Sequence, residues 1–264
     1  MKNVKPIFEN DDLTIVNLEG PLTSATLKAE KQYRFKGPAA YAEVLKQGSI
    51  EAVNLANNHM FDYFDQGYWD TVSNLSAANI GYSGFEHKYL TEVKGIKVGM
   101  FGFTGWDSGK QKKDEIKKAV EDLKSKGANL IIASFHWGEE RMYTPNQTQK
   151  ELGRYCIDLG VDLVLGHHPH VIQGIETYKG KSIVYSLGNF SFGGNKNPTD
   201  KDAYIYQHSF SFKDNVLQME TGQVIPVSIS SVKDRNNYQP TPLEGIEAMR
   251  VMNKIRKYST DLGH

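Results

Sequence analysis

The chain has 264 residues, 39% of them hydrophobic and 23% charged, the composition of a soluble globular protein long enough to bury a sizeable core. Its 31 basic and 31 acidic side chains cancel, so no overall field draws it to nucleic acid or to an anionic membrane surface. A single cysteine, Cys156, excludes an internal disulfide; no apolar run approaches the ~20 residues of a spanning helix, and "MKNVKPIFENDDLT" lacks a signal-peptide hydrophobic region. The chain as given is therefore expected to be soluble, with no transmembrane segment.

In chain order, "LTIVNL" and "AVNLA" read as strands. "FDQGYWDTVSNLSAANI" reads as a helix, with Trp69, Val72, Leu75 and Ala78 recurring every three residues. "KVGMFGF" and "NLIIASF" are strands, "QTQKELGRYCIDLG" a helix that takes in Cys156 as packing, and "VDLVLG" and "SIVYSL" strands again. Short apolar runs alternating with amphipathic segments up to about residue 190 predict an α/β domain. Beyond Asn189 the pattern turns to antiparallel strands in "AYIYQHSFSF", "VLQMETG" and "VIPVSISSV". A polar "KDRNNYQPTPLEG" and a helix from about Leu243 follow.

The chemistry stands at the carboxyl ends of the first-half strands, where α/β sheets build their sites. "LTIVNL" ends at Glu19, "AVNLA" at Asn57, Asn58 and His59, "NLIIASF" at His136, and "VDLVLG" at the cluster His167, His168 and His170. Each has a plain structural reading: Asn57 and Asn58 as a turn pair, His59 and His136 as hydrogen-bonded core histidines, Glu19 as a solvated carboxylate. Four strand ends that all deliver oxygen or imidazole donors point instead to a metal centre. Pro169 biases His168 toward extended backbone, in which alternate side chains face the same way. His168 and His170 are thus expected to face one site, with His167 pointing elsewhere, in its outer shell or in packing. His87 and His208 fall outside the strand-end pattern.

"NLEGPLT", "NLANNHMFDY", "HWGEE", "PNQTQ", "LVLGHHPHVIQGIE" and "VYSLGNFSF", in this order, resemble the poly-gamma-glutamate capsule biosynthesis protein family, CapA/PgsA-like, across most of residues 5–232. The resemblance implies the fold of the calcineurin-like metallophosphatases, a four-layer α/β/β/α sandwich over residues 1–232, with 233–264 as a C-terminal extension made of a polar segment plus a helix. It implies up to two divalent cations, Mn, Zn, Fe or Mg, held by Glu19, Asn58, His136, His168 and His170. His59 is then the catalytic acid, oriented by Asp62, while Asn57, His167 and Asn189 stand around the site.

The implied function is capsule or poly-gamma-glutamate biosynthesis, as a metal-dependent hydrolase of a small-molecule or polymer substrate. The alternative is a non-catalytic accessory of a polymer synthase or export complex in the membrane. Full-length relatives are expected at the extracellular face of the cell membrane. Relatives carry an N-terminal anchor and a first strand ending in Gly-Asp, and this chain starts downstream of both. The sandwich is accordingly expected to lack that strand and one metal to be weakened or lost. Phe64 and Arg141 stand where relatives commonly have glycine and an aromatic. A metal-dependent nuclease would call for a basic groove, against which the balanced charge argues.

Overall fold

Which apolar runs become strands, and which of their faces are covered, is set by hydrophobic period and by the turns between them. The computed structural model describes residues 1–262. Its elements are α1 (Lys5–Phe8), β1 (Ile15–Asn17), α2 (Tyr41–Gln47), β2 (Ala52–Asn54), α3 (Phe64–Ala77), β3 (Gly81–Ser83), β4 (Tyr89–Val93), β5 (Ile96–Gly105), α4 (Lys110–Ser125), β6 (Leu130–Trp137), α5 (Gln147–Asp158), β7 (Leu163–His167), β8 (Ile175–Tyr178), β9 (Lys181–Val184), β10 (Asp202–Lys213), β11 (Val216–Ser228), β12 (Thr241–Pro242) and α6 (Gly245–Ser259). The α/β class expected from the sequence is the one observed. Among the described residues, no helix is long and apolar enough to cross a membrane. The chain forms two compact units, Met1–Tyr89 with Phe101–Thr104, and Leu90–Met100 with Gly105–His264.

In the first unit, β1, β2 and β3 form a parallel sheet in that order, with Ile15 opposite Ala52 and Ala52 opposite Gly81. Every residue of β2 is buried, as an apolar central parallel strand requires. Helix α3 corrects one expectation. Its covered residues are Gly67, Tyr68, Thr71 and Leu75, whereas Trp69 is 52% exposed. A strict three-residue spacing drifts around a helix of 3.6 residues per turn, so Trp69 and Leu75 do not share its buried face. Thr71 is buried because its hydroxyl is satisfied twice: it donates to Gly67 O (2.7 Å) and accepts from Leu22 N (2.8 Å).

The six-stranded sheet has the order β4-β5-β6-β7-β9-β8, in which β6, β7 and β9 pair in parallel and β8 runs antiparallel to β9. All of β6 is buried. A second sheet pairs β10 with β11 from Asp202–Ser228 to Lys213–Val216. The sequence suggests two strands where the structure has one continuous β11, because Gly222 is no turn. It lies opposite His208 in the ladder, and a Cβ there would stand 2.0 Å from the Tyr206 hydroxyl oxygen. Helix α6 is fastened to β10 through Asp202, which accepts from both Arg250 terminal nitrogens (2.8 and 2.6 Å) and from Lys254 (2.9 Å). Burial would raise the Asp202 carboxyl pKa, but the two cations outweigh it and hold it below the ordinary value.

The tightest packing lies in the middle of the six-stranded sheet, just before the histidine cluster. Trp137 donates from its indole nitrogen to Tyr185 O at 2.8 Å, and Gly166 on β7 passes directly over this bond. A Cβ on Gly166 would fall 2.1 Å from Tyr185 O and 2.5 Å from the Trp137 nitrogen. Gly166→Ala should therefore destabilise the protein by about 3 kcal/mol or more, read as a lowered urea midpoint, because backbone and a fully buried indole would have to move.

Candidate functional site

Each unit presents its own group of candidate residues, and the sequence order of those residues is explained by strand ends. In the first unit, Leu18 follows β1 with both of its backbone groups engaged. Its N–H donates to Asn54 O (3.0 Å), and its carbonyl accepts from the Asn57 side chain (2.8 Å). This pins the base of Glu19, a half-buried carboxylate followed by Gly20 in a left-handed conformation (φ 116°). Asn57 also donates to Leu55 O (3.1 Å), and its side-chain oxygen accepts from His59 N (3.1 Å). The turn-pair reading of Asn57 thus holds physically, and what the turn does is to present Asn58 and His59.

His59 is nearly buried, and its Nδ1 lies 2.7 Å from Asp62 Oδ2. Asp62 is wholly buried and accepts three further bonds from its surroundings: Phe35 N to Oδ2 (2.9 Å), Lys31 Nζ to Oδ1 (2.6 Å), and at its backbone carbonyl Ala29 N (2.9 Å). Burial raises the carboxyl pKa, but the bonds from Lys31, Phe35 and His59 together outweigh it, so the group stays below its usual range and ionised. An ionised Asp62 accepts, so the proton of the pair sits on His59 Nδ1 and leaves Nε2 as the reactive nitrogen. The Phe35 ring packs edge-on against the imidazole at 4.4 Å. Lys31 and Phe35 belong to none of the motifs that single out the other residues; they come from an irregular loop some thirty positions upstream.

In the second unit, His136 lies near the end of β6 and is completely buried, while His167 ends β7 opposite it in the ladder. His136 and His168 have ring centroids 4.7 Å apart, and His168 and His170 5.9 Å. His168 and His170 each offer a nitrogen within 4.8 Å of the other. The exposed Trp106 stands edge-on to His168 at 4.9 Å and to His136 at 6.0 Å, and Phe192 flanks His170 at 5.6 Å. Trp106 lies outside every motif of the sequence, whereas Phe192 is the last residue of "VYSLGNFSF". His167 differs from its neighbours: its Nε2 is buried without a hydrogen-bond partner among the described residues, and desolvation pushes its pKa down to about 4, which keeps it neutral.

The backbone route to this grouping is not the one expected from Pro169. His168 and His170 are not extended; both have positive φ, 101° and 57°. They converge through a left-handed turn, an unfavourable conformation for residues with a Cβ. The turn is held from outside, since Arg141 N donates to Pro169 O (2.8 Å) and Asn189 bridges His170. The Asn189 amide nitrogen donates to His170 O (3.1 Å), which leaves its Oδ1 facing His170 Nδ1 at 2.8 Å. An acceptor there requires the ring proton on Nδ1, so the in-plane lone pair of His170 is on Nε2. "PNQTQ" has a local role as well: Asn146 and Gln149 form a reciprocal capping box at the start of α5, and Gln149 hands on to Gln173, which donates to Met142 O (2.8 Å).

These features can be set beside known proteins. The profile of the family described as "Bacterial capsule synthesis protein PGA_cap" matches residues 1–194. The chain is 30% identical to the capsule biosynthesis protein CapA of Bacillus anthracis, over 89% of this chain and 64% of that protein. It is 32% identical to the PGA biosynthesis protein CapA of Bacillus subtilis, over 88% and 68%. The chain thus spans about two thirds of the length of these relatives. Among solved structures, a hypothetical protein from Thermus thermophilus superposes with a TM-score of 0.53 at 15% identity, covering 85% of this chain and 92% of that one, a likeness of fold.

Asn189 makes the arrangement of the second unit testable. Asn189→Ala should lower metal affinity about tenfold by loosening the His170 ring, as loss of an outer-shell partner does. His168→Ala and His170→Ala should lower it further, and His87→Ala not at all. Metal content after dialysis, measured by elemental analysis, is the readout, and equal content in all four variants would sink the assignment.

Proposed function

Because this chain belongs to the bacterial capsule synthesis protein PGA_cap family, we propose that it serves capsule or poly-gamma-glutamate biosynthesis as a metal-dependent hydrolase with a metallophosphatase-like site. The observation that carries this reading is the state of His170, whose Asn189 partner holds Nδ1 and so directs the Nε2 lone pair outward beside His168. That is how a metal-ligating imidazole is prepared: one nitrogen held by an outer partner, the other presented.

The donor types fit a divalent cation. His136, His168 and His170 would hold Zn or Fe, the metals that imidazole suits, and Glu19 and Asn58 offer oxygen donors of the kind that suits Mn and Mg. A bound divalent cation would supply Lewis-acid chemistry, lowering the pKa of a water and polarising a phosphoryl or acyl oxygen. The rest of the chemistry belongs to the chain. His59 would act as general acid in its imidazolium form, giving the Nε2 proton to the leaving oxygen and returning to the neutral Nδ1–H tautomer, while Asp62 holds Nδ1–H and stabilises the charged ring. Trp106 and Phe192 flank the histidines. The substrate in this reading is a phosphoester or an acyl-linked polymer segment, and the partner is a membrane-bound polymer synthase or exporter.

His59→Ala should keep its metal but lose at least 100-fold in kcat on bis-p-nitrophenyl phosphate or p-nitrophenyl phosphate in the presence of Mn or Zn. Loss of metal without loss of turnover would reverse the roles of His59 and its neighbours. A wild-type protein that takes up neither metal nor turns over either ester would overturn the hydrolase reading and leave the accessory role.

A further inference from the structure

Residues 23–36 of the first unit form a loop without regular structure, closed at its base where Leu22 pairs with Gly37. Its sequence, "TSATLKAEKQYRFK", shares only Thr23, the end of "NLEGPLT", with the motifs that mark the candidate site. The loop nevertheless wraps the turn that bears His59. Ala29 N reaches Asp62 O, and Phe35 N reaches Asp62 Oδ2. Lys31 Nζ donates to Asn58 O and to Asp62 Oδ1, each at 2.6 Å, so one side chain ties the residue before His59 to the residue that orients it.

We propose that Lys31 is a positioning residue for His59: it locks the turn 58–62 and the Asp62 rotamer so that the His59 Nδ1–H bond is always made and Nε2 always faces the reaction. The inference rests on the proposed role of His59 for its meaning in catalysis, but its geometry stands by itself.

The pair differs from an ordinary surface ion pair, which contributes almost nothing. The Lys31 side chain is 39% exposed, but that of Asp62 is wholly covered, so the carboxylate has no water to replace a lost partner. Its two oxygens also divide the work. Oδ2 serves His59 and Phe35 N, while Oδ1 accepts from Lys31. Without Lys31, Oδ1 has to turn toward solvent, and because the carboxylate is rigid, Oδ2 leaves His59 with it. Lys31 is itself held from behind, since Arg34 donates to Lys31 O (2.9 Å) and to Ala29 O (3.2 Å). The loop therefore brings a fixed clamp to the turn.

The test separates positioning from stability. In full-length protein labelled with ¹⁵N-histidine, at about pH 8 where an ordinary imidazole is neutral, wild type should give a slowly exchanging, downfield Nδ1–H resonance for His59, assigned by its loss in His59→Ala. Lys31→Met should broaden or lose that resonance, and Lys31→Arg should recover it. With either nitrophenyl ester, Lys31→Met should lower kcat about tenfold at unchanged KM, the size of effect expected for an outer partner. A folded Lys31→Met with the wild-type His59 resonance would overturn the proposal. Should Lys31→Met not fold, Lys31→Gln decides in the same way: a retained resonance overturns the proposal and a lost one upholds it. A wild type without turnover would count against the hydrolase reading, while the resonance still decides the role of Lys31.

Discussion

A carboxylate that is removed from water must be met by donors on every side, and in the first unit that demand falls on Asp62. Two segments answer it: the turn itself through His59, and the upstream loop through Phe35 N and Lys31 at the carboxylate and through Ala29 at the backbone carbonyl. The loop has no ladder or helix of its own, and its path is set by these bonds. The carboxylate organises both the backbone that covers it and the imidazole that it orients. A neutral residue of the same shape would satisfy the volume and none of the donors.

In the second unit the governing constraint is steric. Gly166, the Trp137 indole and Tyr185 O occupy one crossing point in the sheet, and the strands that meet there deliver His136 and His167 at their ends. A rigid strand end allows the following residues to hold a strained course. His168 and His170 take left-handed backbone conformations that an unsupported peptide would leave, and Arg141 and Asn189 supply the outside bonds that keep them. Rigid scaffold, strained turn and outer amide form one chain of cause, running from packing to the lone pair on His170.

Much of this was legible in the sequence, and for physical reasons. β2, β6 and β7 are buried parallel strands and announce themselves as apolar runs, which place His136 and His167 at the ends of β6 and β7 and Asn58 and His59 in the turn that begins after β2 ends at Asn54. The Asp62 contact to His59 was also within reach, being three residues away in one turn. Lys31 was not, because its partners lie 27 and 31 positions on and loop paths carry no period. Trp106 escaped for the same reason, and Phe192, although it ends "VYSLGNFSF", carries no donor that would mark it. The rule that a residue before proline is extended failed at His168, where bonds to the neighbouring loop outweigh a local preference. Tyr68 and Thr71 were covered although bulky or polar, and for Thr71 a satisfied hydroxyl costs little to bury.

The β10–β11 ribbon has a consequence for the order in which the second unit assembles. Its strands close at Lys213 and Val216 across Asp214 and Asn215, whose φ values of 52° and 61° suit a two-residue turn that follows the natural twist of a hairpin. Pairing can spread from there by short loop closures, interrupted by one irregularity between Ser211 and Phe212. The parallel pairing of β6 with β7 has to wait until α5 has been brought round between them, and long closures are slow. The ribbon is therefore the natural first ordered element, late in the chain but early in time, and pulse-labelled hydrogen exchange would find its amides protected before those of Leu163–His167.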